Sequence, residues 1–339
     1  MTKNETKRIE YLDLAKAVAI LFMVWLHIGV NNRDVDRFVH VFHMPVFFII
    51  SGFCFKEKTS AGKFILKKTK TLLIPYFFWG TVLYGAWSLI YYILNRKSEI
   101  VSLNTFCYSI FNNNTNVSPY ACVQWFFTTL FIANIIFYVI VLISKKHRLL
   151  LIVMISVCAY VGWMMHFLTE RLPFGLDVSF MAVFFIGVGY LIREVKMKVY
   201  LIPIFGGLGY LTFILNKQSE WNMRTMNYGN PILYVVGACS VSICLLLLAK
   251  LLEDISVTRT VLKPVLFIGE NSVWFLIFNQ FYRGTLIIFF EHFGINIPKW
   301  CLLLSIVLVM IPTILIGNRF FGWSIGKKRT RKARENKVV

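Results

Sequence analysis

The chain of 339 residues is 58% hydrophobic and 17% aromatic, with 15% charged residues and a mean hydropathy of +0.66, values that exclude an ordinary soluble globular domain. A formal net charge of +20 would suit nucleic acid in a soluble protein, but here lysine and arginine gather on alternate connections between apolar runs, so membrane lipids are the expected partner and nucleic acid is not. The apolar runs are long and continuous rather than alternating over about ten residues, which excludes a barrel and predicts an all-α polytopic membrane helical bundle.

In chain order, apolar windows of about twenty residues mark ten spans, near 12–30, 38–55, 72–94, 122–143, 149–168, 178–193, 199–215, 230–250, 265–289 and 297–320. No internal repeat or soluble insertion interrupts them, which predicts a single transmembrane domain over 12–321, an N-terminal segment 1–11 and a basic tail 322–339. The first run follows Lys3, Lys7 and Arg8 but is long and carries Lys16, as a retained span does and a cleavable signal does not. Alternate connections hold 26 of the 36 lysines and arginines, so both termini are expected in the cytoplasm. The longest connection on the opposite side, Asn95 to Ala121, is rich in Asn, Ser and Thr and reads as a lid or a partly re-entrant segment. The seven cysteines show no metal-ligand spacing, so no metal is predicted. Cys107 and Cys122 share one polar connection, and the sequence leaves their pairing open.

Ionisable residues interrupt the first two spans. Lys16 and His27 are eleven residues apart, about three turns plus 20°, so they project from one face of their helix. His40 and His43 share a face of the next segment. A turn centred near Asp34 would leave His27 and His43 within about 3 Å of each other in depth. Pro45, just beyond His43, removes a backbone donor and opens the helix there. In the ninth span Ser272, Asn279 and Arg283 form a polar stripe on one face, which must meet the bundle interior, a carboxylate or water. Gln124 and Trp125 begin the fourth span, where tryptophan serves as an interfacial belt residue or as a face on which a sugar ring stacks.

The segments LDLAKAVAILFMVWLH, FHMPVFFIISGFCF, LLIPYFFWG, QWFFTTLF and IGENSVWFLIFNQF occur in this order between Tyr11 and Phe281. The set resembles the membrane-bound acyltransferase family 3, and within it the branch of fucose 4-O-acetylase-like sugar O-acetyltransferases. The resemblance implies transfer of an acetyl group from acetyl-CoA to a hydroxyl of a cell-surface glycan or its lipid-linked precursor, at a bacterial cytoplasmic membrane. It maps an essential family histidine onto His27. The family's arginine ten residues earlier is Lys16 here, which keeps the charge but lacks the bidentate fork. A histidine that often stands near the end of the last motif is replaced by Asn279, a polar group without acid or base chemistry.

On this resemblance the catalytic residues are His27, as general base toward the acceptor hydroxyl or as a transient acyl-imidazole, and His43, orienting it or sharing its proton. Donor contacts fall to Lys16, Lys68 and Lys70, and substrate contacts to Trp125, Asn279 and Arg283. Each has a plainer reading. Lys16 can reach the headgroups or pair with Asp13, the lysines from Lys56 to Lys70 can serve as positive-inside anchors, and the polar stripe of the ninth span can serve packing. His40, nearer the exterior, is either an interfacial residue or a ligand contact. Glu270 and Asn271 suit a solvated helix cap. A longer acyl group such as succinyl, a polysaccharide transporter or flippase, and a non-catalytic scaffold are the alternative functions.

Overall fold

The computed structural model describes residues 8–29, 32–57, 59–112, 124–145, 147–167, 171–196, 198–216, 221–255 and 261–327. Its principal helices are α1 (Glu10–His27), α2 (Arg33–Phe42), α3 (Pro45–Phe53), α4 (Ala61–Lys68), α5 (Ile74–Ile93), α6 (Leu103–Asn112), α7 (Trp125–Ser144), α8 (Arg148–Met164), α9 (Leu176–Ile192), α10 (Ile202–Leu215), α11 (Pro231–Asp254), α12 (Lys263–Glu270), α13 (Ser272–His292) and α14 (Lys299–Phe320). Among the described residues there is no strand, and eight helical stretches are long and apolar enough to cross a membrane. The other two expected spans are present as α1, which carries Glu10, Asp13 and Lys16, and as the 17-residue apolar stretch Val199–Leu215. Most residues of the predicted tail lie outside the described residues, as does Cys122.

Local chemistry explains where the helices break. The Asn32 side chain accepts from the backbone N–H groups of Asp34 and Val35 and starts α2. His43 and Met44 then form a turn, and Pro45 opens α3 at a position where its missing N–H costs nothing. The predicted ninth span is likewise two helices, parted at Asn271. Between α4 and α5 the chain winds one π-helical turn, Thr69–Leu73.

Three close approaches set the layout. A Cβ on Gly52 of α3 would overlap the Ile186 carbonyl of α9, and one on Gly189 of α9 would overlap the Ile49 carbonyl of α3, so each helix lies directly on the other's backbone. Gly269 of α12 meets the Asp13 carbonyl of α1 in the same way. Arg8, just before α1, is within electrostatic range of Lys327, just after α14, so the chain enters and leaves at one end of the bundle, here termed proximal.

The polar connection after α5 folds back into the bundle as α6. Tyr84 stacks on Phe106 with ring centroids 4.0 Å apart and donates to the Val101 carbonyl at 2.8 Å. Tyr76, eight residues nearer the proximal end of α5 or about 12 Å lower, donates to the Ile110 carbonyl. α6 therefore descends beside α5, as the re-entrant reading expects, over the part of this connection that the structure describes. Cys107 is exposed on it.

At the proximal end a polar network ties down the last described residues. The Lys327 Nζ donates to Asn271 Oδ1 at 2.9 Å and Asn318 Oδ1 at 2.8 Å, while Asn318 Nδ2 donates to Asn271 Oδ1 at 2.9 Å. Trp274 Nε1 donates to Asn318 Oδ1 and Trp79 Nε1 to Ser324 Oγ, each at 2.9 Å. Glu270 pairs with Arg8 at 3.6 Å. Asn271 thus belongs to a knot between α13 and α14 rather than to a solvated cap, because the break at its own position brings its amide to face Asn318.

Candidate functional site

α1 joins two clusters of polar groups. At its distal end the α1–α2 turn, through Gly29 at φ +79°, returns the chain so that the histidines of both segments converge. The rings of His40 and His43 meet edge to face with centroids 5.2 Å apart. Their Nδ1 atoms lie 2.9 Å from the Asp36 carbonyl and 2.8 Å from the Val39 carbonyl, respectively. A carbonyl only accepts, so Nδ1 carries the proton in both, and in the neutral rings each Nε2 keeps a lone pair. His27 and His40 are both within electrostatic range of His43. The groups in range of His27 itself are His40, Arg283 and Arg224. His43 is buried, and His27 and His40 are half-buried.

The stripe on α13 faces this cluster. α1 and α13 pack together, which brings Arg283 to His27. Among the described residues Arg283 makes no ion pair, and its buried Nε meets no acceptor. One turn lower, Asn279 is buried and donates Nδ2 to the Phe275 carbonyl at 2.7 Å, while its Oδ1 receives no hydrogen bond. An amide and a guanidinium left open on one interior face are groups for a ligand or water to complete.

Arg224, which no sequence signal marked, arrives from the connection between α10 and α11. Arg171 holds that connection: it donates to the Arg224 carbonyl at 2.7 Å and pairs with Asp177, which is 0% exposed, through Nε at 2.5 Å. The Asn222–Asn227 bridge and Met226 at φ +58° close the turn around Arg224. Beside it, buried Arg37 pairs with Asp34 at 3.3 Å, donates to the Asn216 carbonyl at 3.1 Å and stands 5.2 Å from the ring centroids of both Phe213 and Trp221. Together these contacts tie the α1–α2 hairpin to the distal connections.

Trp125 does not join the cluster at the membrane surface. It is buried at the start of α7, with Phe126 as its ring partner among the described residues. Its burial leaves little of the indole for contact with headgroups. Neighbouring Gln124 is 2% exposed, and among the described residues neither of its amide atoms has a partner.

At the proximal end a cleft of 660 Å³ is lined by Arg8, Asp13, Lys16, Phe53, Cys54 and Lys56, among others. Lys16 Nζ is 2.5 Å from Asp13 Oδ1, and Arg8 pairs with the other oxygen of the same carboxylate. Arg8 also meets Glu270, so Lys56 is the cation that leaves the cleft lining net positive. Lys67 and Lys68 are within electrostatic range of Cys54, so they extend the basic wall. Burial pushes the Cys54 thiol pKa up, and Lys16 and Lys68 offset part of that rise. Lys70 is exposed on the π turn and lies outside the cleft lining. Lys16 and His27, eleven residues apart on α1, are separated by about 16 Å of helical rise. Among the described residues no group of His, Cys, Asp and Glu is placed to hold a metal ion.

No curated protein and no solved structure matches the chain. A family profile, described as an acyltransferase domain, matches residues 9–318 and so takes in the basic cleft, the histidine hairpin and the α13 stripe alike. A multi-pass helical bundle matched over nearly its whole length belongs to that family, and this chain is an acyltransferase of the acyltransferase-domain family.

Proposed function

We propose that the protein is an O-acyltransferase of a bacterial cytoplasmic membrane, of the fucose 4-O-acetylase-like branch, moving acetyl from cytosolic acetyl-CoA to a hydroxyl of a cell-surface glycan or its lipid-linked precursor. The observation that carries this reading is the pairing of a basic cleft and a histidine cluster on one helix, joined along the Lys16–His27 face. The proximal end is then cytosolic, in keeping with its excess of lysine and arginine. The cleft fits the donor: Arg8, Lys16, Lys56 and Lys68 suit its phosphates, and the apolar wall of Phe53 suits its pantetheine arm.

With the thioester drawn up to the distal cluster, the Nε2 lone pair of His27 takes the proton of the acceptor hydroxyl. The freed oxygen attacks the thioester carbonyl, the carbon–sulfur bond breaks, and the imidazolium returns its proton to the departing CoA thiolate. His43, its Nδ1 fixed on Val39, holds the tautomer and orientation of the pair. Arg283 and the open oxygen of Asn279 position the acceptor.

The test is the O-acetyl content of the surface polysaccharide in a strain lacking the protein, complemented with wild type or His27→Ala at matched membrane levels. Restoration by wild type alone supports the reading. Full acetylation without the protein refutes the acceptor assignment, and loss of all surface polysaccharide favours a transporter.

A further inference from the structure

Asp13 is an acid set into the wall of the proximal cleft, and it is buried at 3% exposure. The side chains it meets are more open, 23% for Lys16 and 52% for Arg8. Each oxygen of its carboxylate takes one of these cations, Oδ1 that of Lys16 and Oδ2 that of Arg8. Gly269 of α12 lies directly on the Asp13 carbonyl, which fixes this turn of α1 against its neighbour. A lysine stem on a helix leans toward the N-terminus, so Lys16 without a partner would extend past the cleft into the headgroups. Lysine needs such a partner, because its ammonium is a point charge on a flexible stem with no fork to set its direction. Arg8 precedes α1 and has no helix to hold it. An acid in the first turn also suits the helix dipole, but that role asks for neither burial nor two cations. Both cations keep N–H groups beyond those given to Asp13, since an ammonium has three and a guanidinium five.

We propose that Asp13 is a positioning residue of the donor site: it holds the Lys16 ammonium and the Arg8 guanidinium at the cleft wall, where their remaining N–H groups, with Lys56, take a phosphate of the donor. The inference rests on the reading of this cleft as the acetyl-CoA site and adds to it the group that keeps the cations in place. With both oxygens occupied and its side chain 5% exposed, the carboxylate turns little of its own charge toward an incoming phosphate. Its effect on the donor is exerted through the two cations.

The experiment uses the purified full chain in neutral detergent and measures affinity for CoA and for pantetheine, which lacks the nucleotide and all its phosphates. The expected result is that wild type binds CoA at least about ten-fold tighter than pantetheine and that added salt narrows the gap. Asp13→Asn should weaken CoA about ten-fold and leave pantetheine unchanged, while Asp13→Glu, which keeps the charge, retains part of the preference. If Asp13→Asn binds CoA as wild type does, the inference is overturned. Tighter binding overturns it too, because the carboxylate then competes with the donor instead of placing its cations. Equal weakening of CoA and pantetheine also overturns it, since a general structural fault then accounts for the loss. Should Asp13→Asn fail to fold, a measurement on wild type decides: acetic anhydride labelling of Lys16, read by mass spectrometry, should slow with CoA and not with pantetheine, and labelling indifferent to CoA overturns the inference. The donor reading fails separately, if wild type binds neither CoA nor pantetheine.

Discussion

Replacing Arg171 by methionine separates stability from function at the distal end. The Asp177 carboxylate, 0% exposed, would keep only the backbone N–H of Val178 at 2.8 Å and of Leu172 at 3.3 Å. Stripping a buried carboxylate of its partner costs about 3–5 kcal/mol, and the 30% exposure of the Arg171 side chain points to the lower end of that range. Loss of the bond to the Arg224 carbonyl adds about 1 kcal/mol. Against a typical total of about 5–15 kcal/mol, the variant should unfold at a clearly lower midpoint in detergent. Adding Asp177→Asn removes the stranded charge, so the double variant should recover most of the stability. It should not recover function fully, because the bond that ties the Arg224 carbonyl to Arg171 stays lost even though the Asn222–Asn227 bridge remains. The assay is tryptophan-monitored unfolding beside acyl-transfer activity for wild type, single and double variants. A single variant as stable as wild type, or a double variant no better than the single, would refute the account of the ion pair.

Other outcomes follow from the same geometry. His27→Ala should fold normally and lower the transfer rate at least about hundred-fold, the usual scale of general-base loss; a rate near wild type excludes His27 as the base. Lys68→Gln should raise the KM for acetyl-CoA several-fold with little change in kcat, whereas a pure loss of kcat would remove Lys68 from donor binding. Because burial raises the Cys54 thiol pKa, the thiolate is scarce at neutral pH. Alkylation of Cys54 should therefore accelerate as pH rises toward and beyond 9, about ten-fold per unit while well below the pKa, and acetyl-CoA should slow it. Cys54→Ser identifies the labelled residue, and labelling indifferent to donor would place the donor outside the cleft. Gly189→Val drives a side chain into the Ile49 carbonyl and should cost at least about 1–3 kcal/mol; unchanged unfolding would mean that α3 and α9 do not lie on each other as described.

Hydropathy alone placed a helix at each of the ten apolar windows, because twenty apolar residues in a row have few other fates, and eight helical stretches among the described residues are long and apolar enough to cross a membrane. The meeting of His27 with His40 and His43 was legible too, since one short turn separates the two segments. What escaped the sequence depends on distant chain. Nothing near Arg224 shows that Arg171 will hold its backbone beside His27. The Asn- and Ser-rich connection gave two readings, and nothing in it shows that Tyr76 and Tyr84 will bond the carbonyls of Ile110 and Val101 and lay α6 along α5. Trp125 could be read from sequence as a belt residue or as a sugar-stacking face, and its burial at the start of α7 depends on packing that no local signal shows. Lys16 illustrates a third limit. Its plainer reading as the partner of Asp13 is what the contacts record, yet it lines the cleft beside Lys56, where a second cation is available.

The knot around Lys327 bears on how the protein is made. Asn271 and Asn318 complete their network only with a lysine that leaves the ribosome after every helix described above has been synthesised. Since chains emerge and insert N-terminus first, the histidine hairpin is laid down early, whereas α12, with its Glu270 contact to Arg8, is fastened late. A chain that stops short of Ser324 would carry every histidine of the distal cluster yet lack the clasp at the opposite end, so synthesis cut off there should yield a protein that quality-control proteases can still unpick.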